Sequence, residues 1–377
     1  MSLPASSITY ASAGVDTAAG DRAVELMKAS VAATMTPEVV GGVGGFAGLV
    51  DVSALRGYRR PLLATSTDGV GTKVAIAQAM DIHDTIGQDL VGMVVDDIVV
   101  VGARPLLMTD YIACGKVVPE RIADIVRGIA RACAAVGTPL LGGETAEHPG
   151  LLGPEDYDVA GAATGVVEAD RVLGAERVRP GDVVLALAAS GLHSNGYSLV
   201  RRVIEHAGWS LERPVPDFGR TLGEELLEPT RLYTAVCLEA IAAVDGGPAG
   251  PGVHALSHVT GGGLAANLAR VLPAGTVAEI DRSAWQVPPV FEVVRRLGAV
   301  PWADLEATLN LGVGMVAVLD PEALEAVAVV ARAAGIPTWV LGQVHDAADR
   351  EVRGRLVAGT KGVDGGAVDI VGDYRTA

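Results

Sequence analysis

The sequence has little cysteine and very few aromatic residues. It contains 3 Cys in 377 residues, and aromatic residues account for 4% of the chain. Cys114, Cys133 and Cys237 are too far apart in sequence for a paired-cysteine metal motif, and they suggest no disulfide framework. We therefore expect small buried thiols in a reducing compartment.

Positive charge and long apolar runs are also scarce. The 29 Lys+Arg face 45 Asp+Glu, a formal net charge of −16, which disfavours nonspecific binding to nucleic acid or to an anionic membrane. No apolar run approaches the ~18 residues of a membrane span, and residues 1–7 lack the pattern of a secretion signal. We expect a soluble cytoplasmic protein with no nucleic-acid and no membrane partner. An anionic substrate would need local donors or a metal ion.

Hydrophobic residues make up 50% of the chain, which is enough to build the cores of two domains. Apolar strand-like runs alternate with amphipathic helical stretches, and this alternation predicts the α/β (α+β) class. We divide the chain into a flexible N-terminal segment and helix (1–40), an N-terminal domain (41–170) that holds the nucleotide and metal candidates described below, a C-terminal α/β domain (171–346) and a tail without clear pattern (347–377). A Gly/Pro-rich insertion occupies residues 245–251.

A glycine-rich turn at residues 68–73, here called the Gly-rich turn, follows an apolar strand and has the composition of a phosphate site. Asp68 would stand at the exit of the strand, and Gly69 and Gly71 would let the backbone approach an anion. Thr72 and Lys73 then supply a hydroxyl group and a positive charge. The spacing matches neither the phosphate loop nor the G-x-G-x-x-G motif. A plain solvated turn between a strand and a helix is therefore the alternative.

Lysine is the rarest basic residue of the chain. The four lysines are Lys28, Lys73, Lys116 and Lys361, and the remaining basic residues are arginine. In a chain that otherwise uses arginine, a retained lysine favours a role for a compact ammonium group, such as contact with phosphate oxygens.

Two adjacent acids, Asp96 and Asp97, interrupt a long apolar helix that we predict from residue 86 to residue 101. Burying them is costly unless a cation compensates their charge, and the alternative is that both side chains turn to solvent. Glu144 follows a second apolar strand and two glycines, as Asp68 follows the first. Two strand exits and one acid-bearing helix predict a three-carboxylate magnesium site, because Mg²⁺ prefers a few hard oxygens and shares its other positions with water and phosphates.

Two turns in the C-terminal half are rich in glycine and hydroxyl groups, and each precedes a helix. We call them the His-Ser-Asn turn (residues 190–196) and the Thr-Gly turn (residues 260–262). Backbone N–H groups in such turns form anion-binding nests, although His193 could equally be a plain helix-entry residue. The candidate substrate and phosphate residues, with one from a third glycine-rich turn, are Ser190, Gly191, His193, Ser194, Asn195, Gly196, Thr260, Gly261, Gly262 and Asn310.

Eight motifs in order make the chain resemble the phosphoribosylformylglycinamidine cyclo-ligase (aminoimidazole ribonucleotide synthetase) family. The resemblance covers about residues 10–344. The motifs are Ala-Gly-Val-Asp (13–16), Gly-Gly-Phe (44–46), Thr-Asp-Gly-Val-Gly-Thr-Lys (67–73), His-Asp-Thr-Ile-Gly (83–87), Gly-Gly-Glu-Thr-Ala-Glu (142–147), His-Ser-Asn-Gly-Tyr-Ser (193–198), Thr-Gly-Gly-Gly (260–263) and Gly-Val-Gly-Met (312–315).

The resemblance implies a homodimer in which the N-terminal four-stranded sheets of two subunits close into a barrel, flanked by C-terminal α/β sandwich domains. It implies ATP and Mg²⁺ at Asp68, Asp97 and Glu144, and leaves open whether Asp96 or Asp110 joins the metal site. The ribonucleotide substrate would lie near the C-terminal turns. Candidate nucleotide-binding residues are Lys28, Asp68, Gly69, Gly71, Thr72, Lys73 and, if the glycine-rich stretch 41–48 is a flap over the ligand and not a linker, Gly44 and Gly45.

The implied activity is ATP-dependent cyclisation of formylglycinamidine ribonucleotide in purine biosynthesis, through an iminophosphate and with release of ADP and phosphate. We expect His193, Lys73 and Asp97 to be the catalytic residues, with His193 in proton handling or phosphate contact. Two alternatives stay open. One is another ATP-using enzyme of the same superfold: thiamine-monophosphate kinase, selenophosphate synthetase or formylglycinamide ribonucleotide amidotransferase. The other is a nucleotide-binding module without catalysis.

Overall fold

The computed structural model describes residues 10–42, 44–244, 252–359 and 365–375. The predicted insertion at 245–251 and Lys361 lie outside these ranges. Within them, no helix is both long enough and apolar enough to cross a membrane.

The N-terminal half builds a four-stranded sheet with the strand order β3-β6-β4-β5, covered on one face by helices α3 and α4. Only β4 and β5 are parallel. Helix α1 packs against α4. The elements are α1 (Thr17–Ala32), β1 (Val39–Val40), β2 (Leu49–Val50), β3 (Pro61–Gly69), α2 (Val74–Met80), α3 (Thr85–Val99), β4 (Arg104–Cys114), α4 (Pro119–Ala135), β5 (Leu140–Glu147) and β6 (Tyr157–Glu168).

Two acids, Asp16 and Glu147, fix the start of helix α1. Asp16 caps the helix, and its carboxylate accepts a hydrogen bond from the Ala19 N–H at 3.1 Å. Glu147 at the end of β5 accepts the backbone N–H of Asp16 at 2.5 Å. A partner 131 residues away therefore fixes the start of α1, which local sequence cannot reveal.

The C-terminal half builds a seven-stranded mixed sheet with the strand order β10-β12-β7-β13-β11-β15-β14. Its last two strands come from the tail, where the sequence predicts no pattern. The elements are β7 (Val183–Ala188), α5 (Tyr197–Ala207), β8 (Pro214–Val215), β9 (Arg220–Thr221), α6 (Leu222–Leu226), α7 (Thr234–Ala243), β10 (Val253–His258), α8 (Gly263–Ala269), β11 (Thr276–Asp281), α9 (Pro289–Gly298), α10 (Trp302–Glu306), β12 (Val313–Leu319), α11 (Leu324–Ala333), β13 (Thr338–Asp346), β14 (Arg355–Ala358) and β15 (Ala367–Val371).

The hydrophobic cores of the two halves are continuous. Buried side chains of α5 and α9, such as Val200 and Phe291, join the core that lies under the N-terminal sheet, and two further clusters fill the C-terminal half. The predicted α/β class and the four-stranded N-terminal sheet are confirmed. Closure of this sheet into a barrel with a second subunit stays a prediction.

Candidate functional site at the contact between the two domains

The Gly-rich turn and the His-Ser-Asn turn pack against each other where the two halves of the chain meet. The Ser194 hydroxyl donates to the Val70 carbonyl oxygen at 2.6 Å. The hydroxyl groups of Thr72 and Ser198 are 3.2 Å apart and share a hydrogen bond. Two motifs separated by more than 100 residues therefore form one surface.

Lys73 lies beneath this surface and not on it. Its side chain is completely buried. The Nζ atom donates to Asp89 Oδ1 at 2.8 Å, to the His193 carbonyl oxygen at 2.9 Å and to the Glu228 carbonyl oxygen at 2.7 Å. Burial lowers the pKa of Lys73, against the opposing effect of Asp89. The prediction of a direct phosphate contact stays a prediction, and such a contact would require Nζ to leave one of these partners.

His193 is buried in an unusual backbone conformation. Its φ angle is 61°, in the left-handed region that non-glycine residues rarely adopt. The ring Nε2 accepts the Ser190 N–H at 3.2 Å, whereas Nδ1 has no hydrogen-bond partner among the described residues. Burial lowers the pKa of His193 well below its ordinary value, so the ring is neutral near pH 7.

The two adjacent acids of α3 have different surroundings. Asp96 is fully buried and accepts the Tyr233 N–H at 3.1 Å and the Thr234 hydroxyl at 2.7 Å, at the start of α7. Burial raises its pKa to about 6. Asp97 is exposed and accepts a hydrogen bond from His258 Nδ1 at 2.9 Å. Asp96 therefore joins the domains, whereas Asp97 is open to a ligand.

His258, at the end of β10, is a residue that the sequence analysis missed. Burial alone would lower its pKa, but the hydrogen bond to Asp97 and the nearby carboxylates of Asp96, Asp97 and Asp68 raise it. Its Nε2 atom is buried without a partner in the described part of the chain. His258 therefore interacts electrostatically with both exposed acids, Asp68 and Asp97. The one sequence feature that could have pointed to His258 as a site residue is its position just before the Thr-Gly turn.

The three predicted metal ligands are not assembled around one point. Among the described residues, no group of three or more His, Cys, Asp or Glu side chains is placed to hold a metal ion. Glu144 was predicted to follow a strand, but strand β5 continues through Glu147. Glu144 therefore lies within the strand, opposite Tyr111 on β4. By strand alternation Asp68, paired with Gly161, lies on the sheet face that α3 covers, and Glu144 lies on the open face.

Asp110 occupies the same row of the sheet as Asp68, because both residues pair with Gly161 of the strand between them. Burial of its carboxyl group raises the pKa of Asp110 to about 7. A Cβ atom on Gly143 of the next strand would lie 2.2 Å from Asp110 Oδ1. The glycine therefore makes room for this carboxyl group.

The predicted substrate turns lie side by side. A Cβ atom on Gly261 would lie 3.4 Å from Asn195 Oδ1, which places the Thr-Gly turn against the His-Ser-Asn turn. Asn310 is buried, and it supports the latter turn through a hydrogen bond from Nδ2 to the Gly191 carbonyl oxygen at 3.0 Å. The structure thus brings together the ten predicted substrate residues.

The remaining predicted nucleotide residues lie on the surface of the N-terminal half. Lys28 is exposed on α1 and pairs with Glu25 at 3.6 Å. Gly44 and Gly45 are exposed, and no neighbouring residue restricts the space around Gly44. In the described conformation neither Lys28 nor these glycines join the contact between the domains.

Asp89 and Thr230 also escaped the sequence analysis. Asp89 Oδ1 accepts three hydrogen bonds: from Lys73 Nζ, from the Thr230 N–H at 2.8 Å and from the Thr230 hydroxyl at 2.6 Å. From sequence, Asp89 is a single acid on an apolar helix, and nothing nearby in sequence indicates that it would bind Lys73 and Thr230. Its position seven residues before Asp96, and hence on the same helix face, was the available signal.

Comparison with known protein families places the chain within one of them. The model "AIR synthase related protein, N-terminal domain" matches residues 50–167, and the model "AIR synthase related protein, C-terminal domain" matches residues 179–355. The phosphoribosylformylglycinamidine cyclo-ligase of Geobacillus sp. (strain WCH70) is 46% identical over 336 residues, 89% of this chain and 95% of the relative. The enzyme of the same name from Sorangium cellulosum (strain So ce56) is 46% identical over 354 residues, 94% of this chain and 100% of the relative.

Solved structures share the fold at low sequence identity. Thiamine-monophosphate kinase from Stenotrophomonas maltophilia K279a superposes with a TM-score of 0.62 at 18% identity, covering 92% of this chain and 96% of the kinase. The hydrogenase maturation protein HypE from E. coli gives a TM-score of 0.61 at 19% identity, covering 91% and 93%. Such identities carry only the fold, whereas the relatives at 46% identity favour the cyclo-ligase family over its sister enzymes.

Proposed function

The chain belongs to the phosphoribosylformylglycinamidine cyclo-ligase family, whose members close the imidazole ring of a purine precursor at the expense of ATP, and from this premise we propose how its residues carry out that reaction. The enzyme is a ligase that forms a C–N bond. The observation that carries the proposal is the packing of the Gly-rich turn against the His-Ser-Asn turn, with the exposed Asp97 bonded to His258 just before the Thr-Gly turn.

We propose that Asp68 and Asp97 hold Mg²⁺ together with the ATP phosphates. Both side chains are exposed acids, and both interact with the buried imidazole of His258. Their oxygens suit this ion, which commonly binds one or two carboxylates and completes its shell with phosphate and water. When bound, Mg²⁺ would neutralise charge on the phosphates. Glu144, on the open face of the sheet, would reach the nucleotide of a second subunit and not of its own.

The ribonucleotide would lie against the His-Ser-Asn turn and the Thr-Gly turn. Backbone N–H groups of the nests bind its phosphate, and His193, neutral because burial lowers its pKa, provides an imidazole beside them. Gly69, Gly71 and Thr72 face the ATP phosphates. Lys28, Gly44 and Gly45 belong to the proposed nucleotide side, and they would approach it by movement of the N-terminal segment.

The proposed reaction has two steps. The amide oxygen of formylglycinamidine ribonucleotide attacks the γ-phosphorus of ATP, the bond to the bridging oxygen breaks, and ADP departs with that electron pair. The amide nitrogen loses its proton to water as its double bond to carbon forms, and the product is an iminophosphate. The ring-forming nitrogen then attacks the carbon that bears the phosphate, the C–O bond breaks, and phosphate leaves with the electron pair while nitrogen loses a proton. Such chemistry needs positioning and charge neutralisation above all, which the two turns and the acids provide.

We further propose that the enzyme is a cytoplasmic homodimer. The open face of the four-stranded sheet carries Leu63, 66% exposed, and Tyr111, 41% exposed, among exposed threonines. A second copy that covers this face would close the predicted barrel and bring its own Glu144 near the partner's site. All three cysteines are free and buried, in keeping with a reducing compartment. The four sequence-based segments, 1–40, 41–170, 171–346 and 347–377, remain our proposed domain division.

The test is ADP release, measured by a coupled assay with formylglycinamidine ribonucleotide, thiamine monophosphate or selenide as the second substrate. We expect release only with the ribonucleotide. Stimulation by thiamine monophosphate or selenide instead would move the chain to a sister activity. ATP binding without release on any substrate would make it a binding module.

Replacing Asp97 tests the metal site. Asp97→Asn should lower kcat about 100-fold and weaken Mg²⁺-dependent ATP binding, because it removes a negative ligand from the phosphate-bound ion. The matched control is Asp124→Asn on α4, where an exposed acid pairs with Arg127. Equal kcat in both variants would exclude Asp97 from the site.

A further inference from the structure

The buried ion pair between Lys73 and Asp89 lies outside the groups that the proposed reaction uses. An ammonium group has three N–H donors, and Lys73 Nζ uses them on Asp89, the His193 carbonyl and the Glu228 carbonyl. The ring of Tyr197 lies 5.6 Å from the same ammonium. Every donor of the lysine is therefore used within the protein.

The partners of this ammonium belong to three separate segments. Asp89 is on α3 of the N-terminal half, His193 is in the His-Ser-Asn turn, and Glu228 precedes α7. Asp89 also binds the backbone N–H and the hydroxyl of Thr230. One buried charge pair thus fixes the Gly-rich turn, α3, the His-Ser-Asn turn and the 228–230 segment relative to each other.

The bond to the His193 carbonyl acts on a strained residue. A left-handed conformation is unfavourable for a non-glycine residue, so surrounding contacts must hold it. The Lys73 hydrogen bond is one such contact, and the Ser190 N–H to the ring Nε2 is another. Releasing the carbonyl would let the turn relax toward an ordinary conformation and move its side chains.

We propose that Lys73 and Asp89 are positioning residues: they act on the reaction by fixing the His-Ser-Asn turn in its left-handed form against the Gly-rich turn, and the lysine does not touch ATP. The inference rests on the proposed substrate role of the His-Ser-Asn turn. In place of the predicted contact between Lys73 and phosphate, the inference gives Lys73 contacts with protein groups only.

A set of four variants separates positioning from simple charge compensation. Lys73→Met removes the donor and leaves Asp89 as an uncompensated buried charge, so its melting temperature should fall by roughly 5–10 °C. Lys73→Met with Asp89→Asn removes both charges, and an amide oxygen can still accept from Thr230. The double variant should therefore melt above Lys73→Met. Asp89→Asn alone completes the cycle, and Lys116→Met, at an exposed lysine, is the control.

Steady-state kinetics on the double variant decide whether the Lys73–Asp89 pair acts on the reaction or only on stability. We expect kcat to stay about 100-fold below the wild-type value although the melting temperature recovers, because the His193 carbonyl still lacks its donor, while KM for ATP changes less than about threefold. Recovery of kcat together with the melting temperature would reduce the pair to a structural role. A tenfold rise in KM for ATP with unchanged kcat would mean that the ammonium binds the nucleotide. Either result overturns the proposal.

A variant at His193 separates this inference from the proposed function. His193→Ala should lower kcat or raise KM for the ribonucleotide if the turn binds substrate. Wild-type kinetics in His193→Ala would refute the proposed role of the His193 imidazole beside the substrate, whatever the Lys73 variants do. A low kcat in His193→Ala with wild-type kinetics in the double variant would refute only the positioning role.

Discussion

Asp89, Asp96 and Asp97 show how three acids on one helix acquire different functions. Asp89 and Asp96 are seven residues apart and face the same way, and each accepts a backbone N–H and a threonine hydroxyl from the segment 230–234. Asp97 is turned away from this segment and is exposed. From sequence alone, Asp96 and Asp97 are expected either to be compensated by a cation or to turn together to solvent. The structure divides the pair, because adjacent helical residues point about 100° apart.

Asp110 should make stability depend on pH. Its pKa is raised to about 7 in the folded protein, from an ordinary value of 3.8, by burial. The folded state therefore binds more protons than the unfolded state between about pH 4 and pH 7, and stability falls as pH rises through this window. Asp110→Asn removes the titration, so the variant should be more stable than the wild type at pH 8 by a few kcal/mol.

Urea unfolding at pH 5 and at pH 8 measures this difference. The wild type should lose stability between the two values, and Asp110→Asn should lose less. Asp96, whose pKa is raised to about 6, remains in both proteins and accounts for a residual slope. An equal loss in both proteins would show that the Asp110 carboxyl group is ionised in the folded state at both values.

Among the helices, the contact of α3 with α4 depends on two glycines. A Cβ atom on Gly87 would lie 2.2 Å from the Ile129 backbone nitrogen, and one on Gly128 would lie 1.9 Å from the Asp84 carbonyl oxygen. Both neighbours are backbone atoms of the facing helix or of its N-cap, so neither can move aside as a flexible side chain could. The two helices approach closely here, and this approach places α3 for its contacts with the C-terminal half.

Gly128→Ala should therefore destabilise the protein by about 1–3 kcal/mol or more, as expected for overpacking against rigid backbone. Gly20→Ala is the control, because Gly20 lies within α1 with open space around its Cβ position. The control should gain about 0.5–1 kcal/mol from helix propensity. Thermal unfolding followed by circular dichroism compares the two. Equal stability in both variants would contradict the close packing.

Local sequence predicted the elements whose boundaries are set locally. Helix α4 begins at Pro119, a residue type that suits the first position of a helix, and strand β7 is the fully apolar run Val183–Ala188. Helix α7, by contrast, begins at Thr234 because of contacts outside its own sequence. The preceding N–H groups of Thr230 and Tyr233 bind carboxylates of α3, more than 130 residues away. Partners this distant leave no local pattern.

The secondary structure of the tail also could not be predicted from local sequence. Residues 347–377 have no clear periodicity, yet Ala367–Val371 pairs in parallel with β11, and Arg355–Ala358 pairs with Ala367–Val371. Tyr374 then packs against Trp302 and Trp285. Short strands are stabilised by the sheet edge that receives them, and this edge forms only in the folded chain.

For the whole molecule, the proposed homodimer gives a direct prediction. The chain has a mass of 38.4 kDa, and light scattering after size exclusion should give twice this value. Leu63→Arg, on the open face of the N-terminal sheet, should yield monomers, because a charge would be buried without a partner. Val329→Arg on α11, where valine is 47% exposed, is the control and should remain dimeric. A monomeric wild type would refute the proposed barrel.

The candidate site as a whole was predictable only as a set of motifs. The sequence pointed to the Gly-rich turn, the His-Ser-Asn turn and Asp97, and the structure brings the two turns into contact. The sequence alone did not reveal that the Lys73 side chain is buried or that His258 contacts Asp97. Both facts depend on how the two halves of the chain pack. Burial and long-range partners are properties of the assembled fold.

The most direct test of the whole account is the position of the metal in a crystal of the enzyme with Mg²⁺ and a non-hydrolysable ATP analogue. The account predicts that oxygens of Asp68 and Asp97 lie about 2.0–2.1 Å from the ion, or one water molecule away, with the γ-phosphate beside the Gly-rich turn. A triphosphate bound elsewhere, with neither carboxylate in the coordination shell of the ion, would contradict it.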